Sequence, residues 1–123
     1  MCSSDLAVDG APYRLAPNGP GSVHPMHGEG WRGPWQVTAA DTRSATLLQV
    51  HDGAASGPGR WPFRYRARQD FRLDAGGLRV AMAIENLEDH AAPAGLGLHP
   101  FFVRDPDSTL AFRAAAEIGR AHV

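Results

Sequence analysis

The chain has 123 residues and a net charge of −1 from 12 basic and 13 acidic side chains, a length that suits one modest domain burying roughly two thirds of its unfolded surface. So even a balance offers no field to attract a nucleic-acid backbone or an anionic membrane, and no apolar run approaches the roughly 18 residues of a membrane span. A single cysteine, Cys2, excludes an internal disulfide, and with no leader-like start the expected location is the cytoplasm.

Fourteen Gly and ten Pro make up about a fifth of the chain, against a usual share of about 12%, and favour many short strands over long helices. In chain order, strands are predicted at 13–16, 35–39 and 45–51. Residues 17–30 are read as a turn-rich connection, and 51–60, HDGAASGPGR, as a flexible loop. From 61 to 74 the odd positions Phe63, Tyr65, Ala67, Phe71 and Leu73 are mostly apolar, while Arg64, Arg66, Arg68, Asp70 and Arg72 are charged. That alternation marks a half-buried strand. The turn Asp74-Ala75-Gly76-Gly77 leads into a second alternating run through Leu78, Val80, Met82 and Ile84, so the two form an antiparallel hairpin. Shorter strands are predicted at 94–98 and 109–113. One charged face per strand points to stacked antiparallel sheets, an all-β sandwich, rather than a helix-covered parallel sheet.

Two segments combine histidine, glycine, proline and aromatic residues: HPMHGEGWRGPW at 24–35 and PAGLGLHPFF at 93–102. Glycines admit a close approach of ligand or backbone, and Trp31, Trp35, Phe101 and Phe102 offer flat apolar faces on which a sugar ring stacks. His27 and His99 are able to donate or accept a proton near neutral pH, which suits protonating a ring oxygen and deprotonating a hydroxyl. His24 and His27 resemble half a zinc site, but nothing at a suitable spacing completes four ligands, so no metal is expected. His51 and His90 stand beside Asp52 and Asp89 in turn-like settings and are expected on the surface. Trp61 and Phe63 are expected in the core, Asn86 at the end of its strand, and Gly95 and Gly97 where backbone comes close.

HPMHGEGWRGPWQV resembles the HG-x-G-W…PW segment of bacterial aldose 1-epimerases, the galactose mutarotase family. AIENLEDHAAPAGLGLHPFF is similar to that family's N…P-x-G-x-G-x-HP-[YF]-F segment, and APYRLAPNGPGSVHP resembles the run into the first histidine. The three stretches stand in the family's order and cover most of residues 10–104. The resemblance implies an incomplete galactose-mutarotase-like β-sandwich from an enzyme that interconverts the α and β anomers of free aldoses without a cofactor. It implies His99 as the acid that protonates the ring oxygen and His27 as the residue that orients the sugar; Trp31, Trp35 and Phe101 are expected as further sugar contacts on the strength of their flat faces. The partner is then a small monosaccharide. The family's general base, a glutamate downstream, its sugar-binding aspartate and an upstream arginine have no counterpart here, so the chain is expected to be an interior fragment, inactive alone.

Phe101 stands where many members have Tyr, which keeps the stacking face and removes a hydroxyl. Relatives acting on hexose 6-phosphates need extra basic contacts, for which Arg32, Arg60 and Arg64 are candidates, although a solvated strand face is the expected role of these arginines. A non-catalytic carbohydrate-binding domain is the first rival reading, since the same architecture serves both, and a metal-dependent β-sandwich or barrel protein using His24, His27 and His99 is the second. A further expectation concerns the ends. With Met1 read as GTG, codons for residues 1–5 written as GTG TGC TCT TCC GAT have the reverse complement ATC GGA AGA GCA CAC, which encodes residues 118–122. The string resembles a sequencing adapter, so residues 1–6 and 117–123 are expected to be foreign tails on a domain spanning 7–116. Strands cut from their partners would leave apolar faces and ladder edges exposed.

Overall fold

The computed structural model describes residues 5–111. Its regular structure is two antiparallel sheets. One is a hairpin of β1 (Asp5–Val8) and β2 (Ala11–Arg14). The other is a meander in the order β3 (Gln36–Ala40), β4 (Ser44–Asp52), β5 (Arg64–Asp74) and β6 (Gly77–Asn86). No α-helix occurs among the described residues. The all-β antiparallel class read from the turn content and the period-two pattern is the one the chain adopts.

β5 and β6 are the longest strands and pair throughout, from Tyr65 opposite Asn86 to Asp74 opposite Gly77. Asp74 closes the turn by accepting the Gly76 N–H at 2.8 Å, and Gly77 follows at φ 124, where an L side chain is strained. The pairing register puts Tyr65, Ala67 and Phe71 on one face with Gln49 and His51 of β4 and with Val80 and Ile84 of β6. The opposite face carries the arginines. Arg66 meets Glu85 across the ladder at 2.9 Å, and Arg68 meets Asp70 on its own strand at 2.7 Å.

The buried apolar residues are Phe63, Tyr65 and Ala67. Phe63, just before β5, packs against Tyr13 of β2 with ring centres 5.1 Å apart and edge-on to the half-buried Trp61 at 5.6 Å. These contacts join the small hairpin to the large sheet. Elsewhere the apolar surface is open: Leu73, Leu78, Leu96, Leu98, Phe102 and Val103 are among the exposed large side chains.

Several local expectations are corrected. The 13–16 strand lies at Ala11–Arg14 and pairs with a strand the sequence reading did not assign, β1. The turn between them is Asp9-Gly10 with both φ values positive, 50 and 79, the primed turn that Asp-Gly favours. Residues 94–98 form no strand, nor do the described residues 109–111. Pro93, Gly95 and Gly97 interrupt the run, and none of the described strands pairs with it. The rest of 109–113 and of the predicted tails, residues 1–4 and 112–123, lies outside the described residues, while Leu6 pairs with Tyr13 in β1. His51 is buried rather than at the surface, because the alternation of β4 turns it to the inner face opposite Tyr65. His90 is exposed as expected. The 51–60 stretch is not a free loop: β4 runs on to Asp52, a 3-10 turn occupies Gly53–Ser56, and Ala54 N–H bonds to Pro62 O at 3.0 Å. Gly53 at φ 60 lies where a Cβ would stand 2.6 Å from Pro62 O.

Two outcomes follow from this packing. Phe63→Ala removes the ring that joins the two sheets and is expected to cost about 3–5 kcal/mol in urea unfolding, with the β1–β2 amides losing their structured shifts first. At the β3–β4 turn, the Asp41 carboxylate accepts from Arg43 N–H (2.7 Å), Ser44 N–H (2.8 Å) and the Ser44 hydroxyl (2.8 Å). These bonds, that from Arg43 first, hold its carboxyl below the usual range. A depressed carboxyl stabilises the fold above its unfolded pKa of about 4, and that gain is lost as pH falls through the folded value. The urea midpoint of Asp41→Asn is therefore expected to fall less steeply on acidification than that of the parent chain.

Candidate active site

The first histidine segment is a loop whose backbone is held by side chains rather than by a strand ladder. Asn18 grips it from one side: the side-chain amide donates to Met26 O at 2.9 Å and Gly28 O at 3.0 Å, and its oxygen accepts the Met26 N–H at 2.6 Å. Between those anchors His27 sits at φ 54 and Gly28 at φ 63. A left-handed histidine stores strain of about 1–2 kcal/mol, and such strain concentrates at sites where a side chain has to be aimed. Trp31 donates its indole N–H to Met26 O at 3.1 Å, and Trp35 donates to Gly30 O at 2.7 Å.

Beneath this loop lies a buried polar layer. Glu29, bracketed by Gly28 and Gly30, is 7% exposed and paired with Arg60. Gln49 and His51 are buried beside it on β4. The Tyr65 hydroxyl donates to Gln49 Oε1 at 3.4 Å, and burial, then the charge of Glu29, push that phenol's pKa up. His51 stacks on Tyr65 with centres 5.1 Å apart, and its Nε2 lies 2.6 Å from Trp61 O. A carbonyl only accepts, so Nε2 carries the proton. Gly33 fits here because a Cβ would stand 2.5 Å from Gln49 Nε2.

The second segment, 93–102, runs without regular structure and brings His99 to His27 with ring centres 5.9 Å apart and planes at 72°. Phe101 stacks on His99 at 4.9 Å, and Trp31 stands edge-on to His27 at 6.4 Å. Trp31, His27, His99 and Phe101 thus form one row of rings. Trp31 and Phe101 are 50% and 89% exposed, so the row presents open aromatic faces beside two imidazoles, polar and apolar groups together. Of the five residues singled out in the sequence, the structure brings these four together. Trp35 is half-buried and sits apart from the row, its N–H taken by the loop backbone. Among the described residues no three His, Cys, Asp or Glu side chains gather as metal ligands.

Of the arginines considered for a phosphate, Arg64 lies on an exposed strand face as expected, while Arg32 and Arg60 lie off the strands. Arg60 is engaged by Glu29 and Arg64 by Glu88 at 3.3 Å, while Arg32 lies 6.0 Å from the centre of the Trp31 ring. Sequence reasoning did not identify Asn18, Glu29 and Arg60 as the residues that fix the loop. The available signal was a lone carboxylate between two glycines, a position with no local reason to be charged unless a cation meets it.

The family model for aldose 1-epimerases matches residues 4–118. Over 106 residues, 86% of the chain, the sequence is 31% identical to YphB of Escherichia coli strain K12, an uncharacterized protein. The chain spans about a third (34%) of that curated relative's length. No solved structure matches it. The three motif segments, the antiparallel sheets and the match over nearly the whole sequence agree: the chain belongs to the aldose 1-epimerase family.

Proposed function

We propose that the chain forms the sugar-facing part of an aldose 1-epimerase, in which His99 protonates the ring oxygen of a monosaccharide and His27, Trp31 and Phe101 hold and orient it, with Trp35 bracing the loop beneath them. The observation that supports this reading most is the meeting of His27 and His99, from two distant motif segments, within one row of exposed rings. A pyranose lays its C–H face on such a row while the imidazole nitrogens reach its oxygens. In the reaction a base takes the proton of the anomeric hydroxyl as the acid protonates the ring oxygen. The C1–O bond of the ring breaks, the open-chain aldehyde turns about C1–C2, and closure on the other face returns both protons. His99 supplies the acid. In this reading the base is a residue outside the ring row, and this chain, which spans 34% of its curated relative, is expected to bind sugar without turning it over.

Arg32 over Trp31 supports one second reading, a hexose 6-phosphate as ligand, because it places a guanidinium beside the row. Titration of the labelled chain with galactose, glucose and glucose 6-phosphate, followed by amide and histidine shifts, distinguishes the two. The expected result is millimolar binding of free aldose with shifts at His27, Trp31 and His99, removed by His99→Ala, and no acceleration of mutarotation in a polarimeter. A preference for the phosphate of tenfold or more selects the second reading. Absence of shifts at these residues at saturating sugar overturns both.

The left-handed backbone at His27 generates a separate expectation. Replacing it with glycine, His27→Gly, relieves strain of about 1 kcal/mol while removing the imidazole. The variant is expected to match or exceed the parent in thermal midpoint and to lose sugar binding, a division that a purely structural histidine would not give.

A further inference from the structure

The loop that carries His27 meets the segment leading into β5 at a charged point, two residues beyond the histidine. Glu29 accepts from the Arg60 guanidinium and, at 3.4 Å, from the Trp61 N–H, while its own carbonyl accepts the N–H groups of Arg32 and Gly33 at 3.1 Å each. Arg60 in turn sits on a segment fixed from a third direction. Ala16 N–H bonds to Gly59 O at 2.8 Å, and Gly59 lies so close that a Cβ would stand 2.6 Å from Ala16 Cβ. Three stretches of chain, around residues 16, 29 and 60, therefore interlock at this pair.

A buried charge is a poor way to gain stability, since an apolar side chain of similar volume would avoid its desolvation. What a carboxylate adds when it bridges a guanidinium and a backbone N–H is direction, because both partners must be met at once. The flanking residues supply none of their own: Gly28 and Gly30 have no side chain to pack, and His27 is held in a conformation its backbone disfavours. Asn18 holds the loop through Met26 and Gly28, on the N-terminal side of Glu29.

We infer that Glu29, held by Arg60, is a positioning residue that sets where the His27 ring stands relative to His99, and thereby shapes the monosaccharide site; its bearing on sugar rests on the function proposed above. The side chain does not need to touch the sugar. The directed, charged bond to the guanidinium, rather than bulk, carries the effect.

The test uses the full chain and two variants, Glu29→Gln, which keeps shape and hydrogen-bonding capacity but removes the charge, and Arg60→Lys, which keeps the charge but loses the planar guanidinium whose Nη2 meets Glu29. Proximity of the His27 and His99 rings is read from nuclear Overhauser contacts without sugar, β5–β6 integrity from amide shifts, and binding from a galactose titration. The expected result is a native β5–β6 hairpin in both variants, loss of the ring contact in Glu29→Gln, and galactose binding weaker by about tenfold or more. Survival of the ring contact in Glu29→Gln overturns the inference, whatever happens to binding. Loss of the ring contact in a chain whose parent form does not bind galactose upholds the positioning role and overturns the sugar reading. If Glu29→Gln unfolds the hairpin, Arg60→Lys decides: a native hairpin without the ring contact upholds the inference, and any other outcome overturns it.

Discussion

A glycine-rich loop has little entropy-free structure of its own, and one that must aim a histidine needs fixing from outside. In this chain the fixing is polar. Glu29 inserts between two glycines into the layer formed by Gln49, His51 and Tyr65 and meets Arg60 there. A buried carboxylate without its cation would be untenable, so the position of the loop, the path of residues 57–62 and the inner face of β4 and β5 are mutually dependent. The aromatic row above this layer inherits its geometry from that dependence.

The sheet and the site are built on different terms. The meander is a sequence of neighbouring hairpins with continuous ladders, stiff along β5 and β6. The two histidine segments have no ladder and owe their place to a few side-chain bonds and to ring contacts. This division is common in enzymes of sheet architecture, where the scaffold is rigid and the chemistry sits on connections. Here it also explains why the inner face is partly polar: it serves as the floor of a loop rather than as half of a dry core.

The legible part of the fold was the part written in period two. Phe63, Tyr65 and Ala67 lie inside, as the alternation required, and the Asp74 to Gly77 turn reverses the chain where its composition said it would. Asn86 ends β6 and accepts the Glu88 N–H at 3.0 Å, as a strand-terminating turn requires. The shorter signals failed for physical reasons. A run such as 94–98 reads as a strand only if an edge is available to it, and partner availability is not a local property. His51 was misjudged because its neighbour Asp52 suggested a turn, whereas the parity of β4 decided its face. The candidate site was legible through its motifs, and the row of rings they form was not, because the distance from His27 to His99 is a product of the loop anchors at Asn18 and Glu29.

The order in which these parts form has its own consequence. Each strand of the meander pairs with its neighbour in sequence, so the sheet closes through local connections and is expected to zip quickly, hairpin on hairpin. The meeting of His27 with His99 spans that entire sheet and is among the longest closures in the chain, so it comes late and opens early. The ring row is thus the first structure to be surrendered in any partial opening, while the ladders beneath it stay protected.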